Sequence, residues 1–292
     1  QLRRFVKKHD VEIIHAHSTS FFMATLLKLS RPQLKLVWHD HNGFRYQTTL
    51  KNNLPLYISS LIFNYIITVN ENLKYWSKQN LKCKQVDFLQ NFSLKSSLRN
   101  FQNIIDLKGP KTAYKIIHVA NLRPQKDHIT ALKALKKLKD NAINFSYHLI
   151  GAYDETSSYY KEIVNFIQTN HLEKQVFIYG SQSNINQWLQ QADMGLLNSV
   201  SEGLPVSLIE YAQAKIPVVV TDVGQCQWVV GEFGQVVKPK DDAALSQAIQ
   251  YNINHPKKAK EMAFQLYKKV NKEFDADLIL QKLLSIYDNV LK

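Results

Sequence analysis

Two glutamates, Glu202 and Glu210, flank a Gly203-Leu204-Pro205 turn in the stretch NSVSEGLPVSLIEYAQAKIPVVVTD, residues 198–222. The text before the turn, MGLLNS, reads as a strand, and VSLIEYAQA reads as a helix with Pro205 near its first turn, where a missing N–H costs nothing. Gly203 permits a tight turn or a close backbone approach. The N–H groups of Leu204, Val206 and Ser207 would then face outward from a helix start, an arrangement that suits a phosphate. About one turn deeper, Glu210 can accept from vicinal hydroxyls such as those of a ribose, while Glu202 leans over whatever the phosphate carries. Paired glutamates are also ordinary helix decoration. The Gly-Leu-Pro between strand and helix is what favours a ligand site.

A second polar loop, HVANLRPQKDH, sets Asn121, Arg123 and Lys126 between a strand and a helix, with Asp127 as N-cap. An arginine fork and a lysine point charge beside a helix start suit the oxygens of a diphosphate. A surface loop with incidental basic residues is the alternative. A third group is histidine: His15 and His17 in HAH, His39 and His41 in HDH. Strand alternation puts His39 and His41 on one face, so a metal cluster is geometrically open. No carboxylate or cysteine spacing completes such a site, and no metal is assigned.

These residues need a scaffold that gathers strand ends. From residue 111 onward, β-branched runs (YKIIHVAN, FSYHLIG, QVFIYG, MGLLNS, PVVVTD) alternate with helix-period segments. In DHITALKALKKLKD, Ala131, Ala134, Leu135 and Leu138 share one face. Alternation of this kind predicts βαβ units and a parallel sheet covered on both sides. Before residue 111, strands are expected at VEIIHAH, KLVWHDH, NYIITVN and KQVDFLQN, and SLKSSLRNFQNIIDLKGPKT reads as a linker. The chain thus divides into a partial first α/β domain at 1–110 with its opening strands missing, a second at 111–274, and a helix at 275–292 that returns toward the first.

The bulk properties narrow the class. The 292 residues are 45% hydrophobic and 21% charged, enough for packed cores. Two distant cysteines, Cys83 and Cys226, fit a reducing compartment rather than a disulfide scaffold. The net charge of +13 is uneven: residues 1–110 hold 16 Lys+Arg against 6 Asp+Glu, a surplus of 10, and the rest hold 21 against 18, a surplus of 3. A basic first part can meet anionic lipid, a phosphate-bearing substrate or nucleic acid. The longest apolar run, LPLYISSLIFNYIITV at 54–69, is broken by Pro55, Ser59, Ser60 and Asn64 and reads as a helix entering a buried strand. Neither the dinucleotide fingerprint nor the P-loop occurs.

Residues 116–235 resemble the donor-binding half of a GT-B glycosyltransferase, most closely glycosyltransferase family 4. The resemblance rests on IIHVANLRPQKDHITALKAL, YHLIGAYDE, QVFIYGSQSNINQWLQQADMGLLNSVSEGLPVSLIEYAQAKIPVVVTDVGQ and GEFGQVV, in the family's order and spacing; residues 11–95 are similar less specifically. It implies a GT-B fold of two Rossmann-like domains with parallel sheets. By resemblance Glu210 holds the donor ribose, Glu202 contacts the transferred sugar, and Lys126 neutralises the departing diphosphate. The backbone around Gly203, Leu204, Pro205 and Val206 approaches the sugar or diphosphate, and the Tyr179-Gly180-Ser181 strand end lies near the nucleobase. The family's Gly-Arg-Leu is here Ala120-Asn121-Leu122, so Arg123 is expected to supply the missing cation. The family's sugar-facing histidine falls on His41, favoured over His39 because it ends the strand KLVWHD.

The resemblance implies a retaining transferase that needs neither metal nor cofactor and moves a sugar from a UDP-sugar or GDP-sugar to an acceptor hydroxyl. A saccharide or lipid-linked oligosaccharide of capsule, exopolysaccharide or lipopolysaccharide assembly is the expected acceptor. The expected location is the cytoplasm, in peripheral contact with anionic lipid at the inner face of the plasma membrane and without a nucleic-acid partner. A nucleotide-sugar epimerase or hydrolase on the same scaffold, and a non-catalytic basic binding module, are the alternatives. The module leaves Glu202, Glu210 and Lys126 unexplained.

Overall fold

The computed structural model describes residues 1–42, 45–90 and 106–292. The chain forms two compact units, one comprising Gln1–Phe92 with Phe274–Lys292 and the other Ser93–Glu273. The sequence division at 110/111 therefore differs from the structural one at 92/93, and most of the expected linker, residues 93–105, lies outside the described residues.

In chain order the first unit contains α1 (Leu2–Lys8), β1 (Ile13–His17), α2 (Phe21–Ser30), β2 (Lys35–Asp40), α3 (Leu54–Ser59), β3 (Tyr65–Thr68), α4 (Glu71–Asn80) and β4 (Val86–Phe88). The second contains β5 (Tyr114–Val119), α5 (His128–Asp140), β6 (Phe145–Ile150), α6 (Ser158–Thr169), β7 (Val176–Ile178), α7 (Ile185–Leu189), β8 (Met194–Leu197), α8 (Val206–Gln213), β9 (Val218–Thr221), α9 (Cys226–Val230), β10 (Gln235–Val237), α10 (Asp242–Asn254) and α11 (Pro256–Glu273). The last helix, α12 (Ala276–Leu291), belongs to the first unit. The apolar run at 54–69 becomes α3 leading into β3, a helix and a fully buried strand. Among the described residues no helix is long and apolar enough to cross a membrane.

The first sheet has the order β1-β2-β3-β4, all parallel. Strand alternation splits its side chains between two cores. Leu36, Trp38 and Ile66 pack with Leu56, Phe63 and Trp76 on one face. Val37, Tyr65 and Ile67 pack with Ile279, Ile286 and Val290 of α12 on the other. The second sheet runs β10-β9-β8-β5-β6-β7, again parallel throughout. Its core holds the predicted face of α5: Ala131, Ala134, Leu135 and Leu138 are each 0% exposed. The Asp127 side chain caps this helix by accepting from the Thr130 amide, as the sequence predicts.

The strand order of the second sheet determines where a ligand can sit. From β5 the chain moves outward through β6 and β7, then crosses back to β8 and continues to β9 and β10. The loops leaving β5 and β8 therefore diverge and open a crevice at their carboxyl ends, the switch point where α/β sheets bind ligands. Gly195 in β8 lets α8 pack closely there, since a Cβ on it would lie 2.5 Å from the Tyr211 ring. The Tyr211 hydroxyl in turn accepts from the Val119 amide at 2.7 Å and donates to the Leu196 carbonyl at 3.2 Å. One buried side chain thus clamps the ends of both switch-point strands to α8.

Candidate functional site

The crevice holds a cavity of ≈ 420 Å3 lined by both polar loops, among them Asn121, Lys126, Glu202, Leu204, Pro205, Val206, Ser207 and Glu210. Each loop is fixed before any ligand arrives. After β5 the chain makes one short turn at Pro124–Lys126, and Asp127 at φ 51° redirects it into α5. The Val200 amide donates to the Gln125 carbonyl at 2.9 Å and the Asn198 side-chain amide donates to the Asp127 carbonyl at 2.6 Å. These bonds dock the β5 loop onto the β8 loop and bring Lys126 to Glu202. Lys126 Nζ lies 2.5 Å from Glu202 Oε1, which also accepts from Ser199 Oγ at 2.6 Å.

Helix α8 opens onto the cavity. Pro205 sits at its N-cap, and its carbonyl accepts from the Leu208 amide. No side chain caps this helix, and Val206 and Ser207 in its first turn have amides beyond the reach of an intrahelical acceptor. Glu210 lies one turn in, half-buried, and burial raises its carboxyl above the ordinary range. Behind the lysine the buried rings of His118 and His128 stack at 4.7 Å. Burial, reinforced by neighbouring positive charge, pushes His128 down to about 3 and His118 well below its usual value, so both are neutral. Cys226, beneath Glu202, is raised to about 12, first by burial and then by that carboxylate; like Cys83 it is an unpaired buried thiol.

Several expected positions differ. Arg123 does not line this cavity; it lines a neighbouring depression with Leu122, Pro124, Tyr153 and Asp154. Lys126 is the one cation among the described residues lining the cavity. Asn121, where the family's arginine would stand, accepts from the Ala152 amide at 2.8 Å and so braces the loop after β6. Of the expected strand end, Ser181 lines the cavity, together with Gln182 and Ile185, whereas Tyr179 and Gly180 do not. The reason is local: the Tyr179 ring turns inward, edge-on to Trp188, with its hydroxyl 3.0 Å from His148 Nδ1. Gly203 shapes the turn through its carbonyl, which accepts from the Gln225 amide at 3.0 Å.

Gly224 and Gly151 were not singled out from the sequence, yet both are demanded by close backbone approach. A Cβ on Gly224, at φ +55°, would lie 2.1 Å from the Glu202 carbonyl oxygen and 2.7 Å from that of Gly203. A Cβ on Gly151 would lie 2.1 Å from the Ala120 carbonyl oxygen. Gly151 directly follows β6 and Gly224 lies three residues past the end of β9, and the signal was a lone glycine just beyond a strand beside a polar loop.

His39 and His41 belong to the first unit and form a separate group with His15 and His17. His41 follows β2, as the strand KLVWHD predicts, and its Nε2 lies 2.8 Å from His17 Nδ1. His39 is 7% exposed. Burial and the neighbouring rings hold His39 down to about 2 and His15 to about 4, so both are neutral imidazoles.

Two units, each a parallel sheet packed with helices, the second with its polar site at the switch point, define the GT-B type. The chain belongs to the family glycosyl transferases group 1, whose model matches residues 100–269. Among solved structures, Anabaena HepE in complex with UDP superposes with a TM-score of 0.80 at 18% identity, covering 99% of this chain and 81% of that one. A glycosyltransferase from Rickettsia africae gives 0.76 at 20% identity, covering 100% and 80%. The curated N,N'-diacetylbacillosaminyl-diphospho-undecaprenol alpha-1,3-N-acetylgalactosaminyltransferase of Campylobacter jejuni is 30% identical over 165 residues, 53% of this chain and 39% of its own length. The poly(ribitol-phosphate) alpha-N-acetylglucosaminyltransferase of Staphylococcus aureus is 23% identical over 216 residues, 71% and 43%. The chain spans only 28%, 46% and 50% of three further curated relatives.

Proposed function

We propose that this chain serves a retaining glycosyltransferase that moves a sugar from a nucleoside-diphosphate sugar to an acceptor hydroxyl in cell-surface polysaccharide assembly. One observation carries the reading: Lys126, Glu202, Glu210 and the open start of α8 line a single cavity at the switch point of the second sheet. The diphosphate rests on the Val206 and Ser207 amides and on Lys126, and Glu210 accepts from the ribose hydroxyls. Ser181, Gln182 and Ile185 flank the base. UDP is the expected nucleotide, since HepE is solved with UDP and with UDP-glucose, and GDP is the alternative.

Arrival of the diphosphate exchanges the partner of Lys126. Its ammonium leaves Glu202 for the phosphate oxygens, and the freed carboxylate oxygen accepts from a sugar hydroxyl while Ser199 keeps it oriented. As the glycosidic C–O bond breaks, Lys126 and the helix start stabilise the charge that develops on the diphosphate, a preorganised arrangement that calls for no metal at this position. The acceptor oxygen bonds the anomeric carbon from the face the diphosphate leaves, and its proton passes to a phosphate oxygen, which retains configuration. His41 is the proposed first-unit histidine for the sugar.

The acceptor is a saccharide or a lipid-linked oligosaccharide at a membrane surface, as the name of the Campylobacter relative suggests. Support comes from the first unit, where α1 exposes Leu2 and Phe5 between Arg3, Arg4, Lys7 and Lys8, and α2 exposes Phe22, Met23, Leu26 and Leu29. The test is release of nucleoside diphosphate from UDP- and GDP-sugars with and without saccharide acceptors. Acceptor-dependent release with a new α- or β-linkage matching the donor's supports transfer. Acceptor-independent release of free sugar would replace it with hydrolysis, and isomerised donor with epimerisation.

A further inference from the structure

Four imidazoles gather at the carboxyl ends of β1 and β2. Alternation puts His15 and His17 on one face of β1, and parallel register sets His17 opposite His39. The rings lie against one another, with centroids 4.3 Å apart for His15 and His17, 5.4 Å for His15 and His39, and 5.3 Å for His17 and His39. Helix α12 covers this face, and its Tyr287 hydroxyl lies 2.6 Å from His15 Nδ1.

That bond fixes the His15 ring and leaves its Nε2 buried without a protein partner among the described residues. His39 is more unusual, because neither of its ring nitrogens has such a partner although the ring is 7% exposed. Buried polar atoms are ordinarily satisfied, and a ring with two orphaned nitrogens calls for an explanation. The geometry supplies one: a ring nitrogen from each of His15, His17 and His39 lies within 4.8 Å of the others. The sequence offered no spacing to complete a metal site; the fold completes one by setting two short His-x-His strand ends side by side.

We propose that His15, His17 and His39 bind a transition-metal cation of the zinc type. Three imidazoles with a fourth position left for water are a familiar zinc donor set, whereas the absence of carboxylate or carbonyl donors in the trio disfavours magnesium and calcium. Tyr287 is a positioning residue, since it holds the non-ligating nitrogen of His15 and so fixes the ring that presents Nε2. His17 is exposed and gives the ion a path from solvent, and His41 steadies it through the 2.8 Å contact to Nδ1. The site belongs to the first unit and the nucleotide cavity to the second.

The test uses the full chain freed of metal with EDTA and titrated with Co2+, whose d–d absorption reports tetrahedral nitrogen ligation, followed by displacement with Zn2+. The proposal expects one saturable equivalent, a rise in melting temperature with Zn2+, and loss of the signal in His15→Ala and in His39→Phe, the latter refilling the buried volume. Tyr287→Phe, a milder change, should weaken binding about ten- to a hundredfold. Far-UV circular dichroism establishes that each variant is folded. Absence of saturable Co2+ or Zn2+ binding by the native chain, or binding unchanged in folded His15→Ala and His39→Phe, would overturn it. Nucleotide binding by the EDTA-treated chain, measured in parallel, reads the donor site independently of this outcome.

Discussion

Replacing Gly224 by alanine should damage the reaction centre from outside the cavity. The glycine packs its backbone onto the turn that carries Glu202, with a prospective Cβ 2.1 Å from the Glu202 carbonyl oxygen, where ordinary contact begins at 3.4 Å. The two segments must separate by roughly 1 Å to relieve the overlap, and no flexible side chain is available to yield, because the obstructing atoms are backbone. The 3.0 Å bond from the Gln225 amide to the Gly203 carbonyl would stretch with them. Glu202 would then leave its alignment with Lys126 and Ser199. A misplacement of about 1 Å costs on the order of a hundredfold in rate. The φ of +55° adds roughly 1–2 kcal/mol of backbone strain, a loss of a few degrees in Tm. Gly231→Ala separates these effects, since it has a φ of +59° but only the Lys269 side chain within reach, at 3.8 Å. Steady-state kinetics and thermal melts of both variants decide the matter. Both should melt lower, and Gly224→Ala alone should lose about a hundredfold in kcat/KM. A Gly224→Ala enzyme within twofold of the native rate would refute the reasoning.

Lys126→Ala should lower nucleoside-diphosphate affinity and cut turnover by about a hundredfold or more, whereas Arg123→Ala should change turnover by less than about threefold, because Arg123 lines the neighbouring depression; equal losses would restore the sequence-based role of Arg123. Glu210→Gln should weaken nucleotide binding at pH 8, and the affinity gap between the two proteins should close as pH falls, since burial raises the Glu210 carboxyl and protonation removes the acceptor that distinguishes them. A gap that persists unchanged to pH 5 would contradict this. The chain should also be acid-labile. His118, His128 and His148 are all depressed by burial, the last two to about 3 and about 4, so between the unfolded value near 6.5 and those values only the unfolded chain takes up their protons. Stability is then full above about pH 6.5 and falls on acidification by up to ~1.4 kcal/mol per pH unit for each histidine; urea melts from pH 7 to pH 5 measure the slope, and a flat profile would refute it.

Much of this fold was legible because its strands are apolar on both faces and its helices are periodic. The buried stripe of α5 and the break between α3 and β3 both follow from that patterning. That Lys126, Glu202 and Glu210 share one cavity was legible for a related reason: they sit in loops and a helix start fixed by local chemistry, the Asp127 cap and the Pro205 entry. What pattern could not carry is contact between distant segments. Arg123 and Lys126 are three residues apart, yet the short turn between them sends one side chain into the cavity and the other away from it. The resemblance implied Tyr179 near the base, but its ring packs edge-on to Trp188 with its hydroxyl at His148. Gly224 matters only because the turn after β9 meets the turn after β8, and the histidine cluster exists only because β1 lies beside β2 in one particular register.

The proposed function requires the cavity at the β5–β8 switch point to bind a nucleoside diphosphate. Isothermal titration of the chain with UDP, GDP and ADP in the presence of EDTA tests it most directly. Saturable one-to-one binding of one of them is expected, lost in Lys126→Ala and weakened in Glu210→Gln while both variants keep the native far-UV spectrum. Binding of none of the three by the folded chain, or binding indifferent to both substitutions, would contradict it.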